Sequence, residues 1–104
     1  MPVPEYPDFR DPQFLHAHIR SIMAFYHPRC IDTQDGGFFQ HFRDDGSIYD
    51  AATRHLVSST RFVFNYAMAA RGYSSDEYRD AARHGLTYLR HVHRNAATGG
   101  YAWL

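Results

Sequence analysis

The sequence predicts an all-α fold of three helices, ordered outer, inner and outer as in a two-layer helical ring. Three observations predict it. Apolar residues recur at helical spacing in three long segments. That apolar pattern is one-sided in the first and third segments and nearly all-round in the second, as for a helix held between layers. Double glycines, each followed by an aromatic residue, punctuate the chain at Gly36-Gly37-Phe38 and Gly99-Gly100-Tyr101, which suggests a repeated unit. Three helices do not close a ring, so residues 1–104 are expected to form a single incomplete domain, a fragment of something larger.

Residues 1–10 carry three prolines and are expected to be an extended arm. Asp11-Pro12 then reads as an N-cap followed by proline at the first helical position. A helix over 11–27 places Phe14, Leu15, Ile19, Ile22, Met23 and Tyr26 on one face, and Pro28 ends it. Residues 29–50 read as a hairpin-like loop. Phe38–Phe42 is a candidate strand, Asp44-Asp45-Gly46 a tight turn and Ser47–Tyr49 the return strand.

The second helix is expected over 51–71, stopped by Gly72. Its one polar stripe is Arg54, Ser58, Arg61 and Asn65. The third is expected over 75–94, opened by a capping box from Ser74 to Glu77. Tyr78, Ala81, Ala82, Leu86, Leu89 and Val92 form its inner face. Tyr101-Ala102-Trp103-Leu104 begins an apolar stretch that the chain does not complete.

Composition narrows the function classes. The formal net charge is zero, with 11 basic and 11 acidic residues, so no electrostatic footprint for nucleic acid or an anionic membrane is present. Every basic residue is arginine, scattered rather than clustered. A lone Cys30 has no disulfide partner and fits a reducing cytoplasm. The start of the chain lacks the pattern of a signal peptide, and no run reaches the ~18 apolar residues of a membrane span.

Eight histidines raise the question of a metal. His16/His18 and His91/His93 are each two apart, which points them to different sides of a helix. His-x-x-x-His spacing with a glutamate is absent, as are cysteine pairs. The expectation is therefore no metal and no cofactor. Arg61 is the informative residue. A guanidinium in a mostly apolar helix needs an ion partner, solvent or a polar cavity, and its planar fork suits vicinal hydroxyls or a carbonyl oxygen. Composition alone leaves those alternatives open.

Arg54-His-Leu-Val-Ser-Ser-Thr-Arg-Phe-Val-Phe-Asn-Tyr-Ala-Met-Ala-Ala70 resembles the first inner helix of the N-acylglucosamine 2-epimerase superfamily, most of all its mannose isomerase branch. Asp35-Gly-Gly-Phe-Phe39 upstream, with Asp45-Gly46 after it, and Gly99-Gly-Tyr-Ala-Trp103 downstream support the resemblance. It implies an (α/α)6 barrel several times this length, of which this chain is the N-terminal part. It also implies metal-free interconversion of sugars at C1 and C2 by proton transfer through histidines.

On the matching positions the resemblance makes Arg61 a sugar contact near the reacting carbons. It sets Tyr101 and Trp103 in a loop bordering the pocket and includes His55 in the motif. The family's acid–base histidines belong to later repeats, and none of the eight here matches them, so no catalytic residue is expected in this segment. The implied activity is aldose–ketose isomerisation of the mannose-to-fructose type in the cytoplasm, with a monosaccharide substrate. The alternatives are a sugar 2-epimerase, a glycoside hydrolase on a related barrel and a non-catalytic helical interaction module. The hydrolase needs a carboxylate pair across a pocket, and no convincing pair is present. An incomplete ring would also expose apolar surface open to self-association.

Overall fold

The computed structural model describes residues 6–104. The expected arm at 1–10 lies partly outside these residues. Within them, residues 6–8 are irregular and a turn at Phe9-Arg10 leads into the first helix, with Asp11 N–H donating to Asp8 O. The elements in order are α1 (Pro12–Tyr26), β1 (His41–Phe42), β2 (Ile48–Asp50), α2 (Leu56–Tyr73) and α3 (Asp76–Tyr88). A π-helical turn, Leu89–His93, continues α3.

Helix α1 starts as its sequence demands. The Asp11 side chain accepts from Gln13 N–H, and Pro12 takes the first turn. The loop after it returns through a short antiparallel hairpin, with His41 opposite Asp50 and Phe42 opposite Ile48. Asp45 builds the turn by accepting from both the backbone N–H and the hydroxyl of Ser47. These acceptor bonds hold its carboxyl below the usual range.

Helix α2 begins at Leu56, five residues later than expected. Asp50 is the reason. Its carboxylate accepts from Ala52 N–H, Thr53 N–H and the Thr53 hydroxyl, so the backbone donors a first helical turn would offer are used locally. The same bonds lower the Asp50 pKa to about 2. Helix α2 also runs past Gly72. The left-handed residue that ends it is Ser74, at φ 51°. Ser75, not Ser74, then caps α3, accepting from Tyr78 N–H. Glu77 does not close a capping box; it reaches back to His27 Nε2 at 2.6 Å.

The core lies where α2, α3 and the 30–38 loop meet. Phe38 is fully buried and stacks on Phe62 at 5.0 Å and Tyr66 at 5.6 Å, both from α2. Two glycines permit this. At Gly37, φ 71°, an added Cβ would stand 2.9 Å from the Tyr88 ring. At Gly85 on α3 an added Cβ would meet the Phe38 ring and, at 2.7 Å, Val63.

Gly85→Ala therefore forces α3 off α2. Overpacking costs ~1–3 kcal/mol and the gain in helix propensity returns ~1. The expected net loss of up to about 2 kcal/mol lowers the thermal midpoint by roughly 4–8 °C per kcal/mol, and a melting curve of the variant checks it.

The buried stripe of α3 is Ala81, Gly85, Leu89 and His93, four apart. Leu86 and Val92, expected inside, are 37% and 54% exposed. Helix α2 is apolar on most of its circumference, yet half of its residues face solvent. Phe64 is 63% and Met68 51% exposed, because α1, α3 and the loop supply partners for only one side of it.

The two double-glycine segments have the same backbone pairing. Ile31 stands opposite Phe38, and Arg94 opposite Tyr101. Asp32 N–H donates to Gly37 O and Phe39 N–H to Cys30 O, while Asn95 N–H donates to Gly100 O and Ala102 N–H to His93 O. All three relations recur at one constant offset along the chain, so the repeat suggested by sequence is a repeat of structure.

Candidate functional site

Arg61 stands in the middle of the exposed side of α2 and lines a cleft of about 230 Å³ against α1. Ser58 and Asn65 of the same polar stripe line it as well. Gln40 adds a further polar group from the loop before β1, and Tyr26, Phe62 and Tyr66 supply apolar and aromatic wall. Among the described residues Arg61 makes no ion pair and no hydrogen bond. Its charge is thus available in a concave, partly aromatic site. None of the eight histidines lines this cleft.

Arg54, the first residue of the expected stripe, does something else. It precedes α2 and is buried, its Nη2 2.7 Å from Asp32 Oδ2 and its Nη1 donating to Ala51 O. The guanidinium also lies 5.1 Å from the centre of the Phe39 ring. The pair ties the 30–39 loop to the approach to α2.

His55 is the residue just before α2. Its backbone N–H donates to Gln40 Oε1 at 2.7 Å and its ring meets His41 edge-on. Tyr101 and Trp103 are 50% and 66% exposed. They are held by the backbone, since Trp103 O accepts from Leu56 N–H at 2.8 Å. The structure therefore brings Arg61 together with Ser58 and Asn65. It sets His55, Tyr101 and Trp103 near the start of α2, outside the cleft lining.

One side of the cleft is braced from behind. The Tyr66 hydroxyl is 2.9 Å from His27 Nδ1 and 3.1 Å from Cys30 Sγ. Burial pushes the Tyr66 phenol well above its ordinary range, and it raises the Cys30 thiol to about 11. Both groups stay protonated at neutral pH and serve as hydrogen-bonding structure. Sequence reasoning missed Gln40, which lies in no helical pattern. Its amide is placed only once the hairpin has folded back onto α2. Among the described residues no three His, Cys, Asp or Glu side chains converge in one place, and no helix is long and apolar enough to cross a membrane.

Residues 37–104 match the family model for N-acylglucosamine 2-epimerase. The chain belongs to the N-acylglucosamine 2-epimerase family. It is 58% identical, over 99 residues, to the D-mannose isomerase of Marinomonas mediterranea, which aligns with 95% of this chain and 25% of that protein. It is 23% identical, over 82 residues, to the cellobiose 2-epimerase of Bacteroides fragilis, covering 79% of this chain and 21% of that one.

A crystal structure of D-mannose isomerase superposes with a TM-score of 0.89 at 56% identity, over 95% of this chain and 25% of that one. The chain thus spans about a quarter of the length of the relatives it matches. Its three helices are part of an (α/α)6 barrel, the fold class expected from the order of helix patterns and the resemblance.

Proposed function

We propose that this segment supplies the Arg61 side of a sugar site in an aldose–ketose isomerase, acting on mannose or a similar aldose in the cytoplasm. The observation that carries the reading is Arg61 itself: a guanidinium with no protein partner among the described residues, in a cleft lined by hydroxyl, amide and aromatic groups. That mixture suits a sugar, whose hydroxyls take hydrogen bonds and whose C–H faces rest on rings.

In the reaction, a general base removes the C2 proton while O1 gains a proton, giving a cis-enediol; the carbon-bound proton then returns at C1 as O2 gives up its own to become the ketose carbonyl. Arg61 binds the substrate oxygens and stabilises the negative charge that grows on them. Tyr101 and Trp103 border the site, and His55 supports it. The acid and base come from other parts of the barrel, since this cleft holds no imidazole.

The likeness to the D-mannose isomerase favours isomerisation over 2-epimerisation. Incubating a full-length enzyme containing this segment with mannose tests the reading: fructose is the expected product, while glucose would indicate the epimerase. No change in the sugar would contradict both. The 104-residue chain alone is expected to give no turnover in the same assay. A rate on the order of 10 per second would show that one of its eight histidines is catalytic.

A further inference from the structure

One buried polar chain runs from the wall of the Arg61 cleft to the Tyr101–Trp103 segment, and its hydrogen-bond directions are fixed throughout. His93 is 3% and Ser59 2% exposed. His93 Nδ1 lies 3.1 Å from Ala102 O. A carbonyl only accepts, so in the neutral ring Nδ1 carries the proton and Nε2 is left as an acceptor. The Ser59 hydroxyl, 3.0 Å from Nε2, donates to it. With its proton so used, Ser59 Oγ accepts from Gln40 Nε2 at 2.8 Å. Gln40 Oε1 accepts from His55 N–H at 2.7 Å. Each member has the one role its neighbour leaves it. The Gln40 amide retains a second N–H, and Gln40 lines the cleft.

The far end is doubly tied. Ala102 N–H donates to His93 O at 2.7 Å, and Leu56 N–H, free of any partner within α2 because it opens the helix, donates to Trp103 O. The Tyr88 ring meets the imidazole edge to face, 5.2 Å between centres at 78°. The π-helical turn that ends at His93 brings that residue, with Leu89, to the buried side.

We propose that Ser59 and His93 are positioning residues: they seat the 101–103 segment on the start of α2 and fix the Gln40 amide in the cleft wall. For its functional meaning the proposal rests on the sugar-site reading above. One buried relay then sets two parts of that site, and neither residue need touch the sugar.

Two measurements on a full-length enzyme containing this segment, with tryptophans outside residues 1–104 replaced so that Trp103, the sole tryptophan of this segment, reports alone, test this without any sugar. With His93 intact, 15N NMR of the imidazoles is expected to place the His93 proton on Nδ1; a proton on Nε2 would overturn the relay. The second compares two substitutions. His93→Asn keeps a side-chain N–H at the position of Nδ1 and loses the contact with Ser59. His93→Gln keeps the reach to Ser59 and loses the donor to Ala102.

Seating through Ala102 predicts that the Asn variant retains the Trp103 anisotropy decay and the exchange protection of the Ala102 and Leu56 amides. The Gln variant is expected to lose both and gain a fast local component at Trp103. A space-filling His93 predicts no such order. Equal behaviour of the two variants, or the reverse order, would overturn the proposal. Should the mannose assay fail while these results hold, the sugar reading falls and the relay stands; the opposite pattern removes the relay alone.

Discussion

Arg61→Ala, in a full-length enzyme containing this segment, is expected to lower turnover by roughly 2–4 kcal/mol of transition-state stabilisation, about 30- to 1000-fold, with little change in the thermal midpoint. Both halves of that expectation follow from the structure. Arg61 is exposed and makes no ion pair or side-chain hydrogen bond among the described residues, so its removal breaks no polar tie of the fold.

An enediol-like transition state carries more negative charge on oxygen than the sugar does, so a guanidinium in the cleft acts most strongly there. Arg61→Lys is expected to recover only part of the loss, because an ammonium does not reproduce the planar fork. Catalytic constants and melting curves of both variants check this. A drop in activity that only tracks lost folded protein would assign Arg61 to structure.

The neighbouring arginine is expected to behave in the opposite way. Arg54→Leu leaves the Asp32 carboxylate buried without its counter-charge, since both side chains of the pair are 6% exposed. Breaking such a pair costs ~3–5 kcal/mol, a large share of the roughly 5–15 kcal/mol that holds a domain of this size. Asp32→Asn combined with Arg54→Leu should recover much of the loss. The neutral amide is cheaper to bury, and its oxygen can still accept from the N–H groups of Gln34 and Asp35, as Asp32 Oδ1 does. Denaturant unfolding of the single and double variants measures the difference. Equal losses in both would show that the buried charge is not what matters.

These two arginines also show what the sequence could reveal. Helical spacing marked α1, α2 and α3, and the match of Ser58, Arg61 and Asn65 to one stripe was visible because three- and four-residue spacing is a property of any helix. Arg54 fits the same spacing but lies outside the helix. The carboxylate of Asp50 decides that boundary through side-chain bonds that no periodicity encodes. Ser75 rather than Ser74 caps α3 for a similar reason: the backbone of Ser74 is left-handed and closes α2.

The inner face of α3 was misread by one position toward its end. There Gly85 and His93, neither of them a typical apolar core residue, fill places where Leu86 and Val92 were expected. Gln40 and Ser59 were invisible as a pair, being joined across 19 positions by an amide–hydroxyl bond. The double-glycine segments were legible as motifs, and their identical backbone pairing confirms the repeat they suggested.

The account depends most on one contact, that between Arg61 and a sugar. Arginine modification by phenylglyoxal tests it directly, in a full-length enzyme containing this segment. Peptide mass spectrometry follows each of the eleven arginines of residues 1–104 with and without mannose. The account predicts that mannose slows modification of Arg61, while exposed arginines away from the cleft such as Arg10 and Arg79 react at unchanged rates. Modification of Arg61 at the same rate with saturating mannose as without it would contradict the account.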